Sequence, residues 1–143
     1  MPRIPRAILT ESFQAMKAAR DPIIGCGAGT GLPARCEAAG GIDLIVCHLG
    51  LTTGGAIGAE TARKLEDCPA LVNDWAEAAL RVNPDVIVLA HGGPVSMPDD
   101  AEYVLQNTDN CHGFYGAPSM ERLPTEIALT EQTRSFKSIR FAE

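Results

Sequence analysis

Surplus positive charge is missing from this chain. Its 143 residues carry 12 Lys and Arg against 18 Asp and Glu, a formal net charge of -6 with a pI near 5.0. Without a basic stripe there is nothing to release counterions from a phosphate polymer, so nucleic acid is not an expected partner. Long apolar runs are missing too. None reaches the ~18 residues that a membrane span needs, and the opening MPRIPRA lacks the apolar core of a secretion signal. The expectation is a cytoplasmic protein that does not engage a membrane. Close cysteine pairs are absent: Cys26, Cys36, Cys47, Cys68 and Cys111 are odd in number, widely spaced and without a CxxC. Reduced thiols fit that pattern better than disulfides or zinc. Gly25, Gly27, Gly29 and Gly31 alternate, but Thr30 stands where GxGxxG needs its third glycine, and no Walker lysine follows. Dinucleotide binding is therefore disfavoured, and a tight turn with backbone N–H groups around Gly27 and Gly29, able to meet an anion, is the useful reading.

What is present is a repeated plan. The chain is 45% hydrophobic with mean hydropathy +0.02, enough for one domain with a real core, and no low-complexity linker divides it. Four stretches pass from an apolar run to a glycine-rich turn and then to a helical segment: Pro22 to Gly31, Asp43 to Gly55, Asp85 to Pro94, and Cys111 to Pro124. Apolar runs without polar alternation suit strands covered on both faces, and the intervening helices supply the cover. The fold class expected is α/β: parallel βα units, about four of them, behind an N-terminal helix.

Helix limits follow from starts and stops. Arg6 to Arg20 carries Leu9, Phe13 and Met16 at helical spacing and is closed by Asp21-Pro22. Pro33 opens a short helix ended by Gly40-Gly41; Ala59 to Leu65 is a candidate helix; and Cys68 to Val82 is predicted with Asp67 as N-cap and Leu71, Trp75, Ala78 and Val82 as its buried stripe. Ser96 to Asp99 has capping-box spacing ahead of a helix over Asp99 to Gln106, and Pro124 starts a last helix ending near Ile139.

Parallel units put their chemistry at the carboxyl ends of the strands. His48 and His91 end the second and third apolar runs, so on strands about 4.8 Å apart their imidazoles could share a ligand. Two histidines merely bonded to loop backbone is the rival reading. No carboxylate sits on these runs, so no metal site is assigned. His112 precedes its strand and belongs at the opposite end. Glu121 and Arg122 follow the last run in a loop with Ser119, either as part of a site or as an ion pair holding the loop. Cys26 reads as a small core residue more readily than as a thiolate.

GAGTGL (27–32), HLGLTTGGAIGAETA (48–62), NPDVIVLAHGGPVSMPDDAEYVL (83–105) and HGFYGAPSMERLPTE (112–126) together resemble the TIM-barrel domain of the phosphoenolpyruvate hydrolase-like family. That domain also resembles the carboxyl-terminal half of the plant tobamovirus resistance protein family, and the resemblance implies that the four units are those of a TIM barrel, a half barrel, since eight units take ~250 residues. Residues 1–45 resemble the start of the family domain and 46–143 its end, with the middle of the barrel missing and the seam inside Asp43-Leu44-Ile45-Val46. The resemblance implies a hydrolase or lyase acting on a small phosphorylated or carboxylated oxo compound. The alternative is a non-catalytic anion-binding or interaction module, or an inactive truncated barrel. The loops Gly92-Gly93-Pro94 and Gly116 to Ser119 would follow barrel strands seven and eight, where many TIM barrels hold phosphate, and Thr52, Thr53 and Gly54 could add donors. On that reading a bulky residue at Gly93 should remove phosphate protection and leave the unliganded fold intact. Mg2+ is a possible cofactor by resemblance, with no clear ligand set. His91 is expected as acid or base, His48 as orienting group, Glu121 as partner and Arg122 as anion clamp. Four strands with two open edges predict a homo-oligomer.

Overall fold

A computed structural model describes residues 5–51, 63–116 and 125–139. Along the chain these form α1 (Arg6–Ala19), β1 (Gly25–Ala28), α2 (Gly31–Ala39), β2 (Leu44–His48), a short 3-10 turn (Leu65–Asp67), α3 (Cys68–Leu80), β3 (Ile87–His91), α4 (Pro98–Gln106), β4 (Gly113–Phe114) and α5 (Thr125–Lys137). The strands make one sheet in the order β1-β2-β3-β4, every neighbouring pair parallel. This is an α/β fold of the partial TIM-barrel kind. Among the described residues, no helix is long and apolar enough to cross a membrane.

Register decides which residues share a face. Ile45 lies beside Val88, and Cys47 beside Ala90. All four are fully buried, in a core that α2 and α3 close from one side with Ala34, Ala38, Val72, Trp75, Ala76 and Ala79. The opposite face runs in rows: Leu44 beside Ile87, then Gly27, Val46, Leu89 and Gly113, then His48 beside His91. In a complete barrel this face lines the interior. Gly25 belongs to it: a Cβ there would lie 2.6 Å from Leu44 Cδ1, so a larger residue would make the leucine side chain turn away. Helix α1 sits near the amino ends of β2 and β3, where Ile8, Phe13 and Met16 face Asp43, Asp85 and Ile87 across a cleft; none of its residues is fully buried.

Several local expectations shift. Helix α2 starts at Gly31 rather than Pro33, which still occupies the first turn, where a missing N–H costs nothing. Asp67 precedes α3 but its side chain makes no capping hydrogen bond, because the 3-10 turn already delivers it in helical geometry. The buried side of α3 is Cys68, Val72, Trp75, Ala76 and Ala79; Leu71 and Ala78 are half-buried and Val82 is exposed. Trp75 is buried as expected, and Leu80 is buried with it among smaller residues. Before α4, Asp100 rather than Asp99 reaches back, accepting from Ser96 N at 3.1 Å, Ser96 Oγ at 3.2 Å and Met97 N at 2.9 Å. The candidate helix from Ala59 lies mostly outside the described residues, and its end, Leu65, belongs to the 3-10 turn. The described side chains of α5 are all exposed.

Candidate functional site

The strands end together. His48 pairs with His91 across β2 and β3, and their rings meet edge to face with centroids 5.1 Å apart. His91 Nδ1 lies 2.6 Å from the Tyr115 carbonyl, and the Tyr115 ring meets the His91 ring edge to face at 5.4 Å. His48 Nδ1 accepts the Gly50 N–H at 3.4 Å. The loops behind the two histidines are joined main chain to main chain: Leu49 N–H donates to His91 O at 2.9 Å and Gly93 N–H to Gly50 O at 2.7 Å. His48 is exposed and His91 half-buried, so both rings can be reached from solvent at the carboxyl rim.

Gly92 and Gly93 hold this junction. Both have positive φ, +73° and +60°; a Cβ on Gly92 would come 2.4 Å from Gly50 O, and one on Gly93 2.5 Å from Leu49 O. The expectation that a bulky residue at Gly93 is harmless to the unliganded fold is therefore corrected. Its N–H, assigned from sequence to an anion, is engaged with Gly50. Gly27, expected in a tight turn, is instead a β1 residue paired beside Val46 on the open sheet face, so its backbone belongs to the ladder; Gly29 follows the strand and approaches the His48 carbonyl, with a Cβ 4.0 Å from that oxygen. Gly116 follows Tyr115 beyond β4. Thr52, Thr53, Gly54, Ser119, Glu121 and Arg122 lie outside the described residues.

Arg63 is a rim residue that sequence reasoning missed. Its Nη1 donates to the His48 carbonyl at 3.4 Å, and its guanidinium stacks 5.3 Å above the Trp75 ring. Both partners are distant in sequence, and the only local signal was an arginine between a glycine-rich stretch and a helix. His112 sits at the other end of the sheet, where its Nδ1 accepts the Val88 N–H at 2.9 Å. All five cysteines are free; Cys26 is half-buried against the core. Burial pushes the Cys47 thiol up to about 12, with Cys111 adding to the rise. Burial likewise raises Cys68, while Arg63 opposes it.

The described rim offers imidazoles, main-chain carbonyls and a guanidinium. Mg2+ prefers carboxylate and water oxygen, and among the described residues no group of three or more His, Cys, Asp or Glu could hold a metal. The donor set does not fit that ion.

The phosphoenolpyruvate hydrolase-like family model matches residues 39–139. The chain is 57% identical over 99 residues to the ToMV susceptible protein tm-1(GCR26) of Solanum lycopersicum, covering 69% of this chain and 13% of that protein. It is 56% identical over 99 residues, with the same coverage, to the ToMV resistance protein Tm-1(GCR237) of the same plant. The matched stretch is thus a small part of either relative.

Proposed function

The chain belongs to the phosphoenolpyruvate hydrolase-like family, and from that premise we propose that it is a hydrolase or lyase acting on a small phosphorylated or carboxylated oxo compound. The observation that carries this is the His48–His91 pair: two imidazoles in contact at the carboxyl ends of adjacent parallel strands. An imidazole can both accept and release a proton, so His91 is the acid or base and His48 orients the substrate. Arg63 beside the rim gives an anionic substrate a favourable field. Glu121 as a second proton carrier and Arg122 as an anion clamp complete the proposal.

A non-catalytic anion-binding or interaction module is the second reading. It draws support from coverage, since the chain spans 13% of the length of the curated relatives it matches, and these are named for susceptibility and resistance to a virus. A thermal-shift panel of phosphoenolpyruvate and oxo acids, followed by turnover assays with and without Mg2+, separates the two. Turnover that falls about 100-fold or more in His91→Asn, with folding intact, supports the enzyme. Saturable stabilisation without turnover supports the binding module, and no response to any compound removes both.

A further inference from the structure

The main chain fixes the two rim imidazoles in opposite tautomers, and we infer that this makes them a base and a hydrogen-bond donor for enolising a short 2-oxo carboxylate. The inference rests on the small-molecule reading of the same rim. A carbonyl oxygen can only accept, so the His91 nitrogen 2.6 Å from Tyr115 O carries the proton, and Nε2 of the neutral ring presents a lone pair. An amide N–H can only donate, so His48 Nδ1, which receives the Gly50 N–H, carries the lone pair, and Nε2 of the neutral ring carries the proton. One ring offers a base, its neighbour a donor. The rings meet edge to face with centroids 5.1 Å apart, and on this reading a fragment of a few heavy atoms lies between the two Nε2 atoms.

A carbon acid beside a carbonyl has the matching polarity. His91 Nε2 takes a proton from that carbon, and the C–H electron pair becomes the C=C bond of the enolate. The carbonyl π pair moves onto oxygen, which the His48 Nε2–H holds by a hydrogen bond where the charge develops. The proton on His91 exchanges with water and is returned to carbon, so the cycle closes with no net change and no other reactant. Arg63, bound to the His48 carbonyl, supplies positive charge for the carboxylate end.

The tautomers can be read without any activity. Long-range proton–nitrogen spectra of the uniformly 15N-labelled full chain at about pH 8, where imidazole is ordinarily neutral, should show the proton on Nδ1 in His91 and on Nε2 in His48. His112, whose Nδ1 also accepts an amide N–H, serves as the internal standard for the second pattern. Loss of the pyruvate methyl signal in D2O then reports enolisation. Exchange above the buffer rate should fall about 100-fold or more in His91→Gln, which has no base. It should stay within about tenfold in His48→Gln, whose amide N–H still donates, and should fall in His48→Leu. The same tautomer on both rings, no exchange above buffer by the parent chain, or equal losses in the two glutamine variants would overturn the inference. Turnover of an oxo compound without methyl exchange would leave the family reading standing and sink this one. Exchange without net turnover would do the reverse.

Discussion

The two faces of the sheet use the same strands for different ends. On one face Ile45, Cys47, Val88 and Ala90 are sealed under α2 and α3. On the other, Leu44, Val46 and Leu89 stay half-buried, and their rows run out to His48 and His91. Alternation along each strand therefore separates a residue that stabilises from a residue that can meet a ligand by a single position. His48 follows the fully buried Cys47, and His91 follows the fully buried Ala90.

The strongest way to break this contrast is to cover the open face. Two copies, each with β1 and β4 at the sheet edges, would together supply the eight strands of a closed barrel. Light scattering of the full chain should give twice the chain mass, and a folded monomer at micromolar concentration would refute it. Next in size is Gly93→Val. Positive φ for a β-branched residue, added to a collision with Leu49 O, should cost roughly 4 kcal/mol, read as a lower denaturant midpoint; an unchanged midpoint would mean that the loop can rearrange. The faces themselves are compared by Ile45→Ala against Leu89→Ala. The first should cost roughly 3 kcal/mol, and the second clearly less although it removes the same number of carbons; equal losses would show the open face to be covered. Taken per pH unit, the smallest effect is in pH. The Cys47 thiol has an ordinary value of 9.0, raised to about 12 in the fold, so the unfolded chain ionises first as pH rises. Stability is complete below the lower value and falls by about 1.4 kcal/mol per pH unit between the two. Urea titrations above pH 9.0 should show at least that slope, since the Cys68 thiol is raised as well, and Cys47→Ala should remove the part that Cys47 contributes.

The ends of the second and third strands were legible because those runs carry β-branched residues and leucine and stop at a histidine, whereas the first was placed too early, since Gly25 and Gly27, read as following it, are its own residues. The placement of His48 and His91 on one rim followed from that, but their direct pairing depends on register, which no single strand encodes. The buried side of α3 was only partly legible: Trp75 is buried as expected, but Cys68, Val72, Ala76, Ala79 and Leu80 fill the rest of that side where Leu71, Ala78 and Val82 were expected. Ser96 has the right residue type for a cap, yet Asp100 lies one position beyond the expected partner, so spacing alone picked the wrong carboxylate. Arg63 was invisible for a different reason: its partners, the His48 carbonyl and the Trp75 ring, become neighbours only after the chain has folded.

The two hydrogen bonds that join the loops after β2 and β3 bear on how a ligand is met. Leu49 to His91 and Gly93 to Gly50 bind both histidine-bearing segments into one unit. Had the imidazoles stood on independent loops, a molecule touching both would have to halt two separate motions. Here that loss of freedom occurs at folding, so association has only the ligand's own motion left to arrest.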